Sequence, residues 1–217
     1  MPSATFSVIR LRGNVGLCWN VALGMRIVGG TCKGRSLSSF KGLSIRPTSD
    51  KVREAVFNIL FHYAEGGFPG TFKRTLDLFA GTGAMGIEAL SRGSAEAVFV
   101  DKDPKSVAVI QKNIELCGLS ISGRASVVRK DVLDAVRLLS MKGERFDLIF
   151  IDPPYDSNLT AQALKEIDVN NSKQGLLGAV GIVVAETSKR TPLETTPDDL
   201  SLTLVDERRY GDTLVYF

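Results

Sequence analysis

An acid, two prolines and an aromatic ring follow one another at Asp152-Pro153-Pro154-Tyr155. They come directly after Phe146–Ile151, a short apolar run that reads as a buried parallel strand. Two prolines cannot continue a strand or donate backbone hydrogen bonds, and they hold the preceding residue extended. The chain therefore makes a stiff corner at the carboxyl end of a strand, where open α/β sheets bind ligands. A carboxylate, fixed backbone carbonyls and a ring at one corner suit the gripping of a planar molecule that carries an NH2 group.

A second constellation lies upstream. Gly81-x-Gly83-x-x-Gly86 follows the apolar run Thr75–Ala80 with the spacing of a nucleotide-binding turn. Asp101, 20 residues beyond Gly81, can accept hydrogen bonds from ribose hydroxyls. Glycine alone is weak evidence, because any tight strand-to-helix turn favours it. Asp77 shifts the balance. A carboxylate inside the strand, close to the turn, suits the cationic amino group of a cofactor such as S-adenosylmethionine better than a pyrophosphate. Asp131, after a third strand, can accept from an adenine amine or cap the next helix. On this reading Gly83→Val fills the space the cofactor needs and leaves the fold intact.

These residues need a scaffold. Strands are expected at 75–80, 97–101, 126–129, 146–151 and 180–186, with helices between them after the Gly81–Gly86 turn through Ile87 to Arg92, from about 104, from 132, and near 160–167. Residues 170–174 read as a polar loop, and 202–205 with 213–217 as a closing antiparallel hairpin. Alternating strands and helices predict a doubly wound, mostly parallel Rossmann-like α/β sheet. Ahead of it, 26–47 reads as a small hairpin. Thr48 or Ser49 then caps a helix with Val52, Val56, Ile59, Leu60 and Tyr63 on one face. Residues 1–24 read as a tail or over-extended start, 25–70 as a basic extension, and 71–217 as the main domain.

Composition bounds the reading. The chain has 217 residues, 44% hydrophobic and 24% charged, with no apolar run of membrane-spanning length. Cys18, Cys32 and Cys117 are widely spaced and His62 is the only histidine, which argues against a structural metal site and for free thiols in a reducing compartment. The net charge of +3 hides an asymmetry: residues 1–53 hold nine Lys/Arg and one acid, Asp50, leaving 18 basic and 23 acidic residues beyond. A basic arm on an acidic body points to a polyanion partner. Lys33, Arg35, Arg46, Lys51 and Arg53 are the candidate contacts, Lys51 and Arg53 because they fall off the apolar helix face. A cytoplasmic monomer is expected. The acid-poor first 24 residues also fit an organelle transit peptide.

In order, Asp77-Leu78-Phe79-Ala80-Gly81-Thr82-Gly83, Asp101, Asp131 and Asp152-Pro153-Pro154-Tyr155 resemble the class I S-adenosylmethionine-dependent amino-methyltransferases. Arg46-Pro47-Thr48-x-Asp50-x-Val52-Arg53-Glu54-Ala55-x-Phe57-Asn58 resembles the N-terminal signature of bacterial 16S rRNA guanine-N2 methyltransferases of the RsmD type. So do Met25-Arg26-Ile27-Val28-Gly29-Gly30-x-x-Lys33-Gly34-Arg35, Glu88–Gly93 and Arg209–Thr213, and the likeness covers about 25–217. It implies cofactor contacts from Asp77, Phe79, Ala80, Gly81, Thr82, Gly83, Asp101, Lys102, Asp131 and Val132. It implies catalysis at Asp152, Pro153, Pro154 and Tyr155, and small-subunit rRNA as partner.

The expected chemistry follows from the parts. An exocyclic base amine is a poor nucleophile because its lone pair is delocalised into the ring. Asp152 and the Pro153 carbonyl, accepting its hydrogens, would pyramidalise the nitrogen, and Tyr155 would stack on a base turned out of its helix. Competing readings are a methylase for adenine N6 in DNA or for protein glutamine, a nicotinamide dehydrogenase and a non-catalytic RNA-binding module. The glutamine methylases usually carry Asn where Asp152 stands, and the dehydrogenase leaves the corner without a role.

Overall fold

The computed structural model describes residues 19–40, 49–64, 67–120, 123–154, 158–174, 176–193 and 200–217. Seven strands form one sheet in the order β5-β4-β3-β6-β7-β9-β8. They are β3 (Arg74–Leu78), β4 (Glu96–Asp101), β5 (Ala125–Arg129), β6 (Phe146–Ile151), β7 (Leu177–Ser188), β8 (Glu207–Tyr210) and β9 (Thr213–Tyr216). The first five are parallel, while β9 runs antiparallel to both β7 and β8. This is the expected doubly wound sheet with a closing hairpin.

Strand alternation sorts the core onto two faces. Leu76, Leu78, Val98, Val100, Ile149 and Ile151 meet α5 (Val132–Met141) and α6 (Leu159–Gln174) through Val136, Leu139, Leu164 and Ile167. On the opposite face, Leu148, Phe150 and Val184 pack on Val56, Phe57 and Leu60 of α1 (Asp50–Tyr63). Beside them, Phe99 packs with Ile87 and Leu90 of α3 (Ala84–Arg92) and Ile110 and Ile114 of α4 (Pro104–Leu116). A four-residue helix, α2 (Phe68–Thr71), leads into β3.

The N-terminal hairpin is present, formed by β1 (Trp19–Arg26) and β2 (Ser36–Phe40). Its first strand begins six residues before the boundary read at Met25. Met25, Ile27, Cys32 and Leu37 share one apolar cluster with α3, α4 and β4, so the extension is packed into the sheet's own core. Ser49 caps α1, its side chain accepting from Val52 N at 3.3 Å.

Two expectations are corrected. Residues 170–174 continue α6 instead of forming a loop, because the Ala163, Leu164 and Ile167 anchors set a helix that weak local propensity does not stop. The penultimate strand is Glu207–Tyr210, not 202–205. Its register is fixed by a two-residue turn, Tyr210 pairing with Thr213 across Gly211 at φ 63° and Asp212. Leu204 and Val205 are left exposed. Cys32 and Cys117 are free, buried thiols, and burial pushes the Cys117 thiol up to about 12. Among the described residues no helix is long and apolar enough to cross a membrane.

Candidate active site

The sheet order reverses at β3, whose neighbour on one side is β4 and on the other β6. Leu78 pairs with Ile151, so the carboxyl ends of β3 and β6 lie side by side at this switch point. Phe79 and Asp152 leave the sheet there together.

The turn after β3 is tightly wound. Phe79 takes φ 58°, rare for a side chain of this size, and Gly81 and Gly83 follow at 55° and 77°. Gly83 N donates to Ala80 O, and Ala80 N to Val100 O. Asp101 accepts from Gly81 N through one oxygen and from Asp103 N through the other, both at 2.9 Å. The acid read as a ribose acceptor thus also holds the turn in shape.

The glycines divide the work. A Cβ on Gly86 would lie 2.4 Å from the Phe99 ring, so this glycine lets α3 approach β4. A Cβ on Gly83 would meet Ile110 at 3.3 Å on a backbone of positive φ. The expectation that Gly83→Val acts by filling cofactor space is therefore corrected: the added side chain strains the backbone and presses on the core.

Asp77 is 3% exposed and accepts from Gly86 N at 2.9 Å. Burial pushes its carboxyl up to about 8; the Gly86 bond opposes this, and the charges of Asp152 and Asp101 add to it. Asp77 lines a small cleft with Phe79, Ala80, Gly81, Thr82, Met25, Arg53 and Asp152. A second cleft, of about 230 Å3, lies alongside. Asp152, Pro153, Pro154, Asn158, Thr160, Glu186, Ser188 and Arg190 are among its lining residues. Of the described residues only Asp152 lines both.

Several candidates stand apart from the first cleft. Gly83, Asp101, Lys102, Asp131 and Val132 are not part of its lining. Asp131 caps α5, accepting from Leu133 N at 3.1 Å, and lies 4.0 Å from Lys102; Val132 is buried. Asp101 pairs with Arg129, so Asp131 lies near it on the same carboxyl edge of the sheet. Tyr155 and Arg46 lie outside the described residues.

Arg53 is the main correction. It is fully buried, not a surface cation. Its guanidinium donates to Arg26 O and to Asp50, and lies 3.7 Å from Glu88, which is also fully buried. Helical periodicity put it off the apolar stripe, but α1 packs against α3 as well as the sheet, and that second contact takes Arg53 inward. Lys33, Arg35 and Lys51 are exposed, and Arg35 donates to Leu116 O. Glu186 was missed. It follows the apolar run of β7 as Asp152 follows that of β6, and Ile151 pairs with Ala185, which places the two acids side by side.

The residues of the first cleft fit an S-adenosylmethionine-type cofactor. A positive-φ backbone turn admits close approach, and a buried carboxyl that can give up its proton as a cation arrives is a partner for it. Sheet order, glycine turn and acid-proline corner together define a class I methyltransferase fold. The family model described as "Conserved hypothetical protein 95" matches residues 25–217. A putative rRNA methyltransferase, YlbH, of Bacillus subtilis is 39% identical over 179 residues, 82% of this chain and 91% of its own. The ribosomal RNA small subunit methyltransferase D of Haemophilus influenzae is 33% identical over 187 residues, 86% of this chain and 89% of its own. The solved structure of a putative methyltransferase, yhhF, of Escherichia coli superposes with a TM-score of 0.68 at 31% identity, covering 88% of this chain and 95% of that one. The chain belongs to this RsmD family of methyltransferases.

Proposed function

We propose that the protein transfers a methyl group from S-adenosylmethionine to the exocyclic N2 amine of a guanine in small-subunit rRNA. The observation that carries this reading is Asp152, the residue common to a cofactor-fitting cleft and a cleft of about 230 Å3 beside it. Relatives named as small-subunit rRNA methyltransferases support the substrate class.

When bound, the cofactor supplies an electrophilic methyl carbon on a sulfonium. Asp77 offers its carboxylate to the cationic end, and the Phe79–Thr82 turn offers backbone groups. Asp101 fixes that turn through Gly81 N. On the other side, Asp152 and the Pro153 carbonyl accept hydrogens from the target amine, freeing its lone pair. In this reading Asp152 receives the proton that the nitrogen sheds after methylation. Pro153 and Pro154 hold these acceptors rigidly, so positioning does most of the work.

The test is label transfer from S-adenosylmethionine to unmodified rRNA and to assembled small subunits, followed by nucleoside analysis. N2-methylguanosine is the expected product. Label found only in N6-methyladenosine or in protein glutamine overturns the guanine assignment.

The exposed basic residues of the extension are proposed as the RNA handle, without Arg53. A Lys33/Arg35/Lys51 triple alanine variant should flatten the salt dependence of RNA binding by about 2 units of slope, at roughly 0.7 per contact. Parallel salt lines for variant and wild type would show a merely solvated arm.

A further inference from the structure

The hairpin extension is tied to the cofactor turn more closely than a separate RNA handle requires. Asn113 on α4 is fully buried, and its amide joins the two parts. Nδ2 donates to Thr82 O of the turn at 2.9 Å and to Ser38 O of β2 at 3.1 Å, while Oδ1 accepts from Ser38 N at 2.7 Å. A second tie is direct: Thr82 donates through Oγ1 to the Met25 sulfur at 3.3 Å. The third runs through charge. Glu88 of α3 accepts from Val28 N in the hairpin loop at 2.8 Å and faces Arg53, whose guanidinium reaches back to Arg26 O at the end of β1. Met25 and Arg53, both from the extension, line the same cleft as Asp77 and Asp152.

We propose that the hairpin extension is a wall of the cofactor site, with Asn113 and the Arg53–Glu88 pair as positioning residues that hold Met25 and Arg53 against the glycine turn. The proposal rests on reading this cleft as the cofactor's. Its physical content is linkage. An opened hairpin removes the wall, strips the Asn113 amide of its Ser38 partners and takes Met25 from Thr82, so the turn loses its braces and the cofactor binds the docked hairpin better than the open one. Binding must then favour docking by the same factor.

The direct test uses the wild-type chain and amide hydrogen exchange with S-adenosylhomocysteine as probe. Ile27 N bonds to Arg35 O and Gly34 N to Ile27 O, so both amides report hairpin opening. At a probe concentration of about 100 Kd their exchange should slow by up to roughly 100-fold. Phe217 N, bonded to Asp206 O at the far edge of the sheet, is the control and should move much less. Equal slowing at all three sites, or none with probe bound, overturns the proposal. Failure of the wild type to bind the probe at all overturns the cofactor reading instead.

Two variants give the reciprocal view by calorimetry, well below their melting temperatures. Asn113→Leu removes the amide ties, and Met25→Ala trims the wall and the Thr82–Met25 bond while leaving the Asn113 amide and the Arg53–Glu88 pair in place. Each is expected to weaken probe binding by about tenfold, whatever its change in melting temperature. Wild-type affinity in both variants would show that the hairpin packs near the cofactor turn without serving it.

Discussion

Asp152→Ala is expected to slow single-turnover methyl transfer by at least about 10²-fold, on the scale of losing a pre-positioned polar group at a reacting centre. Cofactor affinity should not fall with it. Asp152 lines the cleft proposed for the cofactor, yet its charge acts there against Asp77, helping to push that carboxyl toward 8. Removing the charge lets Asp77 ionise more readily, so S-adenosylmethionine should bind the variant at pH 7 as well as wild type or slightly better. Asp152→Asn keeps one oxygen acceptor and should lie between the two in rate. Quench-flow with labelled cofactor, paired with calorimetry, reads both quantities. Near-normal turnover in the alanine variant would sink the acceptor role, and a parallel loss of binding would make Asp152 a cofactor residue.

The split between rate and binding depends on placement that the sequence showed only in part. Asp152 was legible because two prolines after an apolar run can only end a strand, and β6 does stop at Ile151. Asp77 and the glycine turn were legible by spacing. The switch point follows from strand order, which no local pattern encodes: Leu78 meets Ile151 across 73 residues of chain. Arg53 misled for a related reason. A helical wheel assumes one buried face, whereas α1 buries Val56 and Phe57 on the sheet and Arg53 beside Glu88 of α3. Gly83 misled because its spacing carries no direction, and its absent Cβ points at Ile110. Asp131 carried two readings, and the helix cap is the one with a partner among the described residues. Glu186 shows the converse, an acid inside β7 that gains meaning only beside Asp152.

Cofactor affinity should rise with pH up to about 8, close to tenfold per unit below that value, and Asp77 should be the cause. Burial is the main reason its carboxyl is protonated at neutrality in the empty cleft, with the charges of Asp152 and Asp101 adding to it. The cationic end of S-adenosylmethionine favours the ionised form, so binding at pH 7 must expel a proton. Calorimetry at pH 7 in buffers of different ionisation enthalpy should therefore detect release of nearly one proton per cofactor bound. Asp77→Asn should abolish the release and the pH slope together, since an amide neither titrates nor pairs with the cation. The sign for stability runs the other way. The folded value lies above the usual aspartate range near 4, so the native state holds the extra proton between about pH 4 and 8. The empty protein should lose stability as pH rises through that window, and saturating cofactor should offset the loss by supplying a countercharge. A wild-type affinity that is flat from pH 6 to 8 would mean that Asp77 is already ionised in the empty cleft, or that the cation binds elsewhere.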